Sequence, residues 1–147
     1  MASLQAELGP SPKQTPIIIG IDGRWGAGKS SLASRLAWQL GVPAICLDLY
    51  IVRDGGSPDW FYEDLSRVIH ACQAQSRPLI VEGVCLCQAL QAIDCDPDYL
   101  VWVENEGGAE HGPEEPVDDY IKAFDPRGNA EFVLEWRQAE TRSTVPA

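Results

Sequence analysis

The segment Gly23-Arg24-Trp25-Gly26-Ala27-Gly28-Lys29-Ser30 restricts the fold of this chain more than any other. It follows Pro16-Ile17-Ile18-Ile19-Gly20-Ile21-Asp22, a β-branched run of the kind found in a central strand buried on both faces. After it, Leu32, Leu36 and Leu40 recur at four-residue spacing beside Ala33 and Ala37, on one face of a helix stopped by Gly41 and Pro43. The glycines allow backbone angles and close approach that a Cβ would block. Successive N–H groups then face inward as an anion nest, and the helix starting near Lys29 aims its positive end at the same point. The pattern G-x-x-x-x-G-K-[ST] is met at Gly23, Gly28, Lys29 and Ser30. In it the lysine reaches the β- and γ-phosphates of a nucleoside triphosphate, and the hydroxyl is offered to Mg2+. The expected ligand is ATP with Mg2+, cradled by Gly23, Arg24, Trp25, Gly26, Ala27, Gly28, Lys29, Ser30 and Ser31.

Downstream, strand and helix patterns alternate. Residues 44–48 predict a second strand ending on Asp48, and 54–57 a turn. Ser57 is placed to cap a helix with Pro58 at its first position, whose apolar face holds Phe61, Leu65, Val68, Ile69 and Cys72. Residues 78–83 predict a third strand closing on Glu82, followed by a short helix over 85–92 and a fourth strand over 99–103. The stretch 105–116 is a Gly/Pro/Glu-rich loop, 117–124 is helical, and 131–136 is a last short strand. This alternation implies an α/β fold with a mostly parallel central sheet covered on both faces, and with the glycine motif the expectation is a three-layer sandwich of the P-loop NTPase type. Ligands of such sheets bind outside the carboxyl ends of the strands. The glycine loop, Asp48 and Glu82 all fall at such ends. One domain is expected over 16–136, between flexible segments at 1–15 and 137–147.

Charge and composition narrow the partners. A net charge of −11 over 147 residues argues against nucleic-acid binding, which needs clustered Lys and Arg. It does not oppose one nucleotide held by backbone N–H groups, one lysine and Mg2+. The acidity concentrates between Glu104 and Asp119, as in a solvated loop. No apolar run approaches the roughly 20 residues needed to span a bilayer, and residues 1–16 lack the pattern of a secretory signal. The five cysteines are an odd number set mostly in apolar segments, so they read as buried thiols of a cytoplasmic protein. Cys85-Leu86-Cys87 has no second ligand pair with zinc-site spacing. Oligomeric state is left open.

Phosphoryl transfer needs a group to hold or order Mg2+ and one to accept the proton of an attacking hydroxyl. Asp48 and Glu82 can each serve either purpose; the plain alternative for Asp48 is a turn residue after a strand. Among the aromatic residues that follow, Tyr50, with Arg53, is the expected substrate contact, while Phe61 is expected in the core.

Ile17 to Ser31, Cys46-Leu47-Asp48-Leu49-Tyr50, Ser57-Pro58-Asp59-Trp60 and Ile80-Val81-Glu82-Gly83 together resemble the uridine kinase and phosphoribulokinase branch of P-loop kinases. The similarity covers roughly residues 16–104, with a weaker echo in 120–136. It implies that Asp48 is the base for the substrate hydroxyl and that Glu82 lies near Mg2+ and the γ-phosphate, with Ser30 as the other metal contact. The catalytic set it implies is Lys29, Asp48 and Glu82. Kinases of that branch carry an arginine-rich lid after the fourth strand, whereas 105–116 here contains no Arg or Lys. The missing charge is expected from Arg127, from Arg53 or from a partner subunit.

Two functions follow. One is ATP-dependent phosphorylation of a small hydroxyl compound, a nucleoside in the first instance. The other is an ATP-binding module that transfers poorly or not at all. A switch GTPase would need an Asn-Lys-x-Asp motif, which the sequence lacks.

Overall fold

The structure, a computed structural model, describes residues 17–53, 58–106 and 113–137. At its centre is β1 (Ile18–Gly23), six buried residues. Around it are β2 (Ala44–Cys46), β3 (Leu79–Glu82), β4 (Tyr99–Glu106) and β5 (Phe132–Arg137), in the spatial order β2-β3-β1-β4-β5. Every pair is parallel. Ile21 lies opposite Glu82 and Val101, Cys46 opposite Glu82, and Val103 opposite Leu134. The chain therefore has an α/β fold with an all-parallel five-stranded sheet, of the P-loop kinase kind.

Two apolar layers enclose the sheet. On one face Ile19, Ile21, Ile80, Val101 and Val103 pack with Leu32, Ala33 and Leu36 of α1 (Lys29–Leu40). Leu32 and Leu36 are the buried members of the predicted apolar stripe, each stabilising by roughly 1.5–3 kcal/mol relative to exposure. On the other face Ile18, Leu79 and Val81 meet Leu65 and Ile69 of α2 (Tyr62–Ala74), Leu86 and Leu90 of α3 (Leu86–Gln91), and Val117 and Tyr120 of α4 (Glu114–Phe124). A four-residue helix, α5 (Pro126–Asn129), leads into β5.

The structure departs from the sequence expectations at several boundaries. β2 stops at Cys46, and Asp48 lies in a single 3-10 turn, Leu47–Tyr50. α2 begins at Tyr62 rather than Pro58. The Phe61 N–H donates to Tyr50 O at 2.7 Å and the Val52 N–H to Asp59 O at 2.8 Å, with Ile51 and Trp60 forming an antiparallel bridge. These bonds keep 58–61 extended and occupy the Phe61 N–H and the Asp59 carbonyl, which an earlier helix start would use. Phe61 itself is 54% exposed, not core. The 54–57 turn and the Ser57 cap fall outside the described residues.

β4 runs on to Glu106 because β5 pairs it along its length, to Glu106 opposite Arg137. With α4 starting at Glu114, the expected loop over 105–116 is strand at one end and helix at the other, and 107–112 are outside the described residues. Arg127 lies in α5; Asp125 caps that helix by accepting from the Gly128 N–H at 3.2 Å. All five cysteines are free thiols; Cys85 and Cys95 are buried, and Cys46, Cys72 and Cys87 are partly so. Among the described residues no helix is long and apolar enough to cross a membrane.

Candidate nucleotide site

β1 ends at Gly23, and the chain turns through residues 24–28 into α1. Gly28 has φ +92° and ψ 23°, a left-handed conformation that side-chain-bearing residues rarely adopt, and no side chain caps the helix it begins. The first N–H groups of α1 are thus left for a ligand. The loop borders a cavity of about 230 Å³ shared with Trp102–Glu106 of β4, and one of about 390 Å³ shared with Asn105, Trp136 and Arg137.

Lys29 is 8% exposed, and its ammonium donates to Arg24 O at 2.7 Å. Burial pulls its pKa below the ordinary lysine value, while the negative charges of Asp22, Glu82 and Asp48 oppose that shift. Because β2, β3 and β1 lie side by side, the 3-10 turn that carries Asp48 leaves the same edge of the sheet as Glu82 and the loop. Ser30 Oγ donates to Glu82 Oε1 at 2.8 Å. Burial, and then the Glu82 carboxylate, push the Cys46 thiol up to about 11.

Among the described residues no group of three or more His, Cys, Asp or Glu could hold a metal. A hydroxyl paired with one carboxylate suits Mg2+, which usually takes one or two protein oxygens and fills the rest of its octahedron with phosphates and water. The donor set therefore fits Mg2+ brought in with a nucleotide, and does not form an all-protein cage.

Asp22, Asp118, Tyr120 and Trp136 also belong to this neighbourhood, although the sequence reasoning did not single them out. Asp22 is fully buried; its Oδ1 accepts from the Gly23 N–H at 2.8 Å and its Oδ2 from the Tyr120 hydroxyl. Burial raises its pKa to about 6 against those bonds and the Lys29 charge, and also raises that of Tyr120. Tyr120 OH in turn accepts from the Cys87 N–H at 3.1 Å. Arg24 Nη2 donates to Asp118 Oδ1 at 2.6 Å, and Trp25 Nε1 to Pro113 O at 3.2 Å. Trp136 Nε1 donates to Ala27 O at 2.8 Å, with its ring filling the space a side chain at Gly28 would take. A charged residue closing an apolar strand, as Asp22 does, was a legible signal; the partners from α4 and β5 left none.

Other expected contacts are less engaged with the loop. Tyr50 packs partly buried against the core on the α2 side, and Arg53 is exposed. Arg127 is held by Glu104 at 2.6 Å and Glu135 at 3.2 Å; these contacts raise its pKa and, together with the Trp102 indole, lower that of Glu104 against its burial. Its charge is already matched.

A family model described as the KAP family P-loop domain matches residues 2–40, the part of the chain that contains β1, the loop and α1. No curated protein matches the chain. Among solved structures it is similar to a possible uridine kinase from Bacillus stearothermophilus (TM-score 0.60, 17% identity), over 88% of this chain and 93% of that one. It is also similar to a thymidylate kinase from Candida albicans (0.54, 13%, over 83% and 84%). A gluconokinase from Sinorhizobium meliloti 1021 is comparable (0.52, 18%, over 87% and 86%). At these identities the likeness establishes the fold: a P-loop kinase-like architecture carrying a phosphate-loop motif at the end of its central strand.

Proposed function

We propose that this chain transfers the γ-phosphoryl group of Mg2+-ATP to a hydroxyl of a small, nucleoside-like molecule. The observation that carries this reading is the grouping of Lys29, the Ser30–Glu82 pair and Asp48 at neighbouring strand ends, on a fold it shares with small-molecule kinases. Ser30 and Glu82 would hold Mg2+, which when bound offsets the charge of the phosphate oxygens. Lys29 and the loop N–H groups orient the β- and γ-phosphates. Asp48, exposed beside them, accepts the acceptor's proton as its oxygen bonds to the γ-phosphorus and the bond to the β–γ bridging oxygen breaks, releasing ADP. Tyr50 and Arg53, close to Asp48 in the chain, are the proposed acceptor contacts.

A second reading, an ATP-binding module with little transfer, draws support from Arg127. Its guanidinium is committed to two glutamates, and no lysine or arginine occurs in 105–116. Loss of an arginine finger costs about 10³–10⁵ in rate.

Product analysis by mass spectrometry with Mg2+-ATP and a panel of nucleosides and sugars separates the two. Transfer that disappears in Lys29→Ala and falls about 10²–10⁴-fold in Asp48→Asn, with ATP binding retained in the latter, supports the kinase. Equal loss of binding and transfer in Asp48→Asn sinks the role given to Asp48. ATP binding without product from any acceptor favours the module.

A further inference from the structure

The charge that Arg127 does not bring to the loop is present within it. Arg24 directly follows Gly23, and its carbonyl oxygen receives the Lys29 ammonium. The Arg24 backbone thus lies against the ammonium of the lysine expected to reach the outer phosphates. Its side chain is half-exposed and bonded to Asp118. Asp118 is not a chance surface partner, because α4 is tied to the loop on either side of it: Pro113 O accepts from Trp25, and Tyr120 donates to Asp22. The acidic helix that follows β4 thus holds a carboxylate against the arginine of the phosphate loop.

We propose that the Arg24 side chain is a γ-phosphate ligand and that Asp118 is its resting partner, exchanged for phosphate oxygens when ATP binds. The chemistry favours the exchange. A guanidinium has five donors in a fork that matches phosphate as well as carboxylate. A half-exposed ion pair contributes little to stability, so giving it up costs little. The released Asp118 carboxylate, already partly in water, is rehydrated in place. This inference rests on the ATP reading of the site and deepens it, by naming a cation in cis for the terminal phosphate.

Calorimetric titration of Mg2+-ATP and Mg2+-ADP into wild type, Arg24→Gln, Asp118→Asn and the double variant tests it, with thermal melts to confirm folding. Arg24→Gln is expected to weaken ATP binding about 10–100-fold, the range for a hydrogen bond to a charged group, and to leave ADP within about 2-fold. Asp118→Asn is expected to tighten ATP binding about 3-fold, and only where Arg24 is present. Arg24→Lys, which keeps the charge without the fork, should fall between wild type and Gln, and it carries the test if Arg24→Gln fails to fold. Equal effects of Arg24→Gln on ATP and ADP, or none on ATP, overturn the proposal. So does an Asp118→Asn effect that persists without Arg24. Wild type binding neither nucleotide would instead remove the ATP reading itself, and this inference with it.

Discussion

The phosphate loop and the Asp48 turn leave the carboxyl ends of strands in one sheet, yet they are held in different ways. The loop grows from the central strand, between β3 and β4; Asp22 braces its base, and Tyr120, Pro113 and Trp136 brace it from α4, its flank and β5. Asp48 follows a three-residue edge strand; Leu47 anchors it in the core, but Leu49 beside it is 80% exposed. Donors that stabilise charge act best when fixed before the reaction. A region that must receive an unlike partner has no such requirement. The loop is thus fixed by packed and hydrogen-bonded neighbours, whereas the Asp48 turn is sparsely supported.

That contrast can be tested through stability. The largest effect belongs to Asp22. In the folded chain it keeps its proton to about pH 6, against 3.8 ordinarily. Its contribution to stability is therefore full below about pH 4 and is lost as pH rises to about 6, by on the order of 3 kcal/mol. Urea unfolding between pH 4 and 7 should show this loss in wild type and a flatter profile in Asp22→Asn; parallel profiles would mean that the loop's base is not sealed.

Gly23→Ala comes next. A Cβ there would lie 2.5 Å from Val103 O, a backbone atom fixed by the β1–β4 pairing. A loss of about 2 kcal/mol is expected; a change under about 0.5 kcal/mol would show that the loop has more slack than the Asp48 turn. The smallest effect is Leu49→Ser, expected within about 0.5 kcal/mol by the same urea midpoint. A larger loss would reveal support around the Asp48 turn and narrow the contrast.

How much of this was legible follows the range of each interaction. The β1–loop–α1 unit was readable because its glycine spacing, apolar run and Leu32–Leu36 stripe are all local. Glu82 was readable because a charge closing an apolar strand is conspicuous. The start of α2 was not: Ser57-Pro58 favours a helix start, but the bonds from Phe61 to Tyr50 and from Val52 to Asp59 override that preference. Phe61 then turned outward. Tyr120 fell on the apolar stripe of α4 like any core aromatic, and only the sheet brings it to Asp22, 98 residues away. Asp118 looked like one of many solvated acids until the fold set it beside Arg24.

The position of β1 has a consequence for how the chain comes to life on the ribosome. Its strand neighbours, β3 and β4, are both translated after it, and the Trp136 brace on Ala27 arrives 109 residues later. At about 5–20 residues per second, the nascent loop waits several seconds for its scaffold, its apolar strand without a strand partner. The segment that announces the fold earliest is thus among the last to be completed.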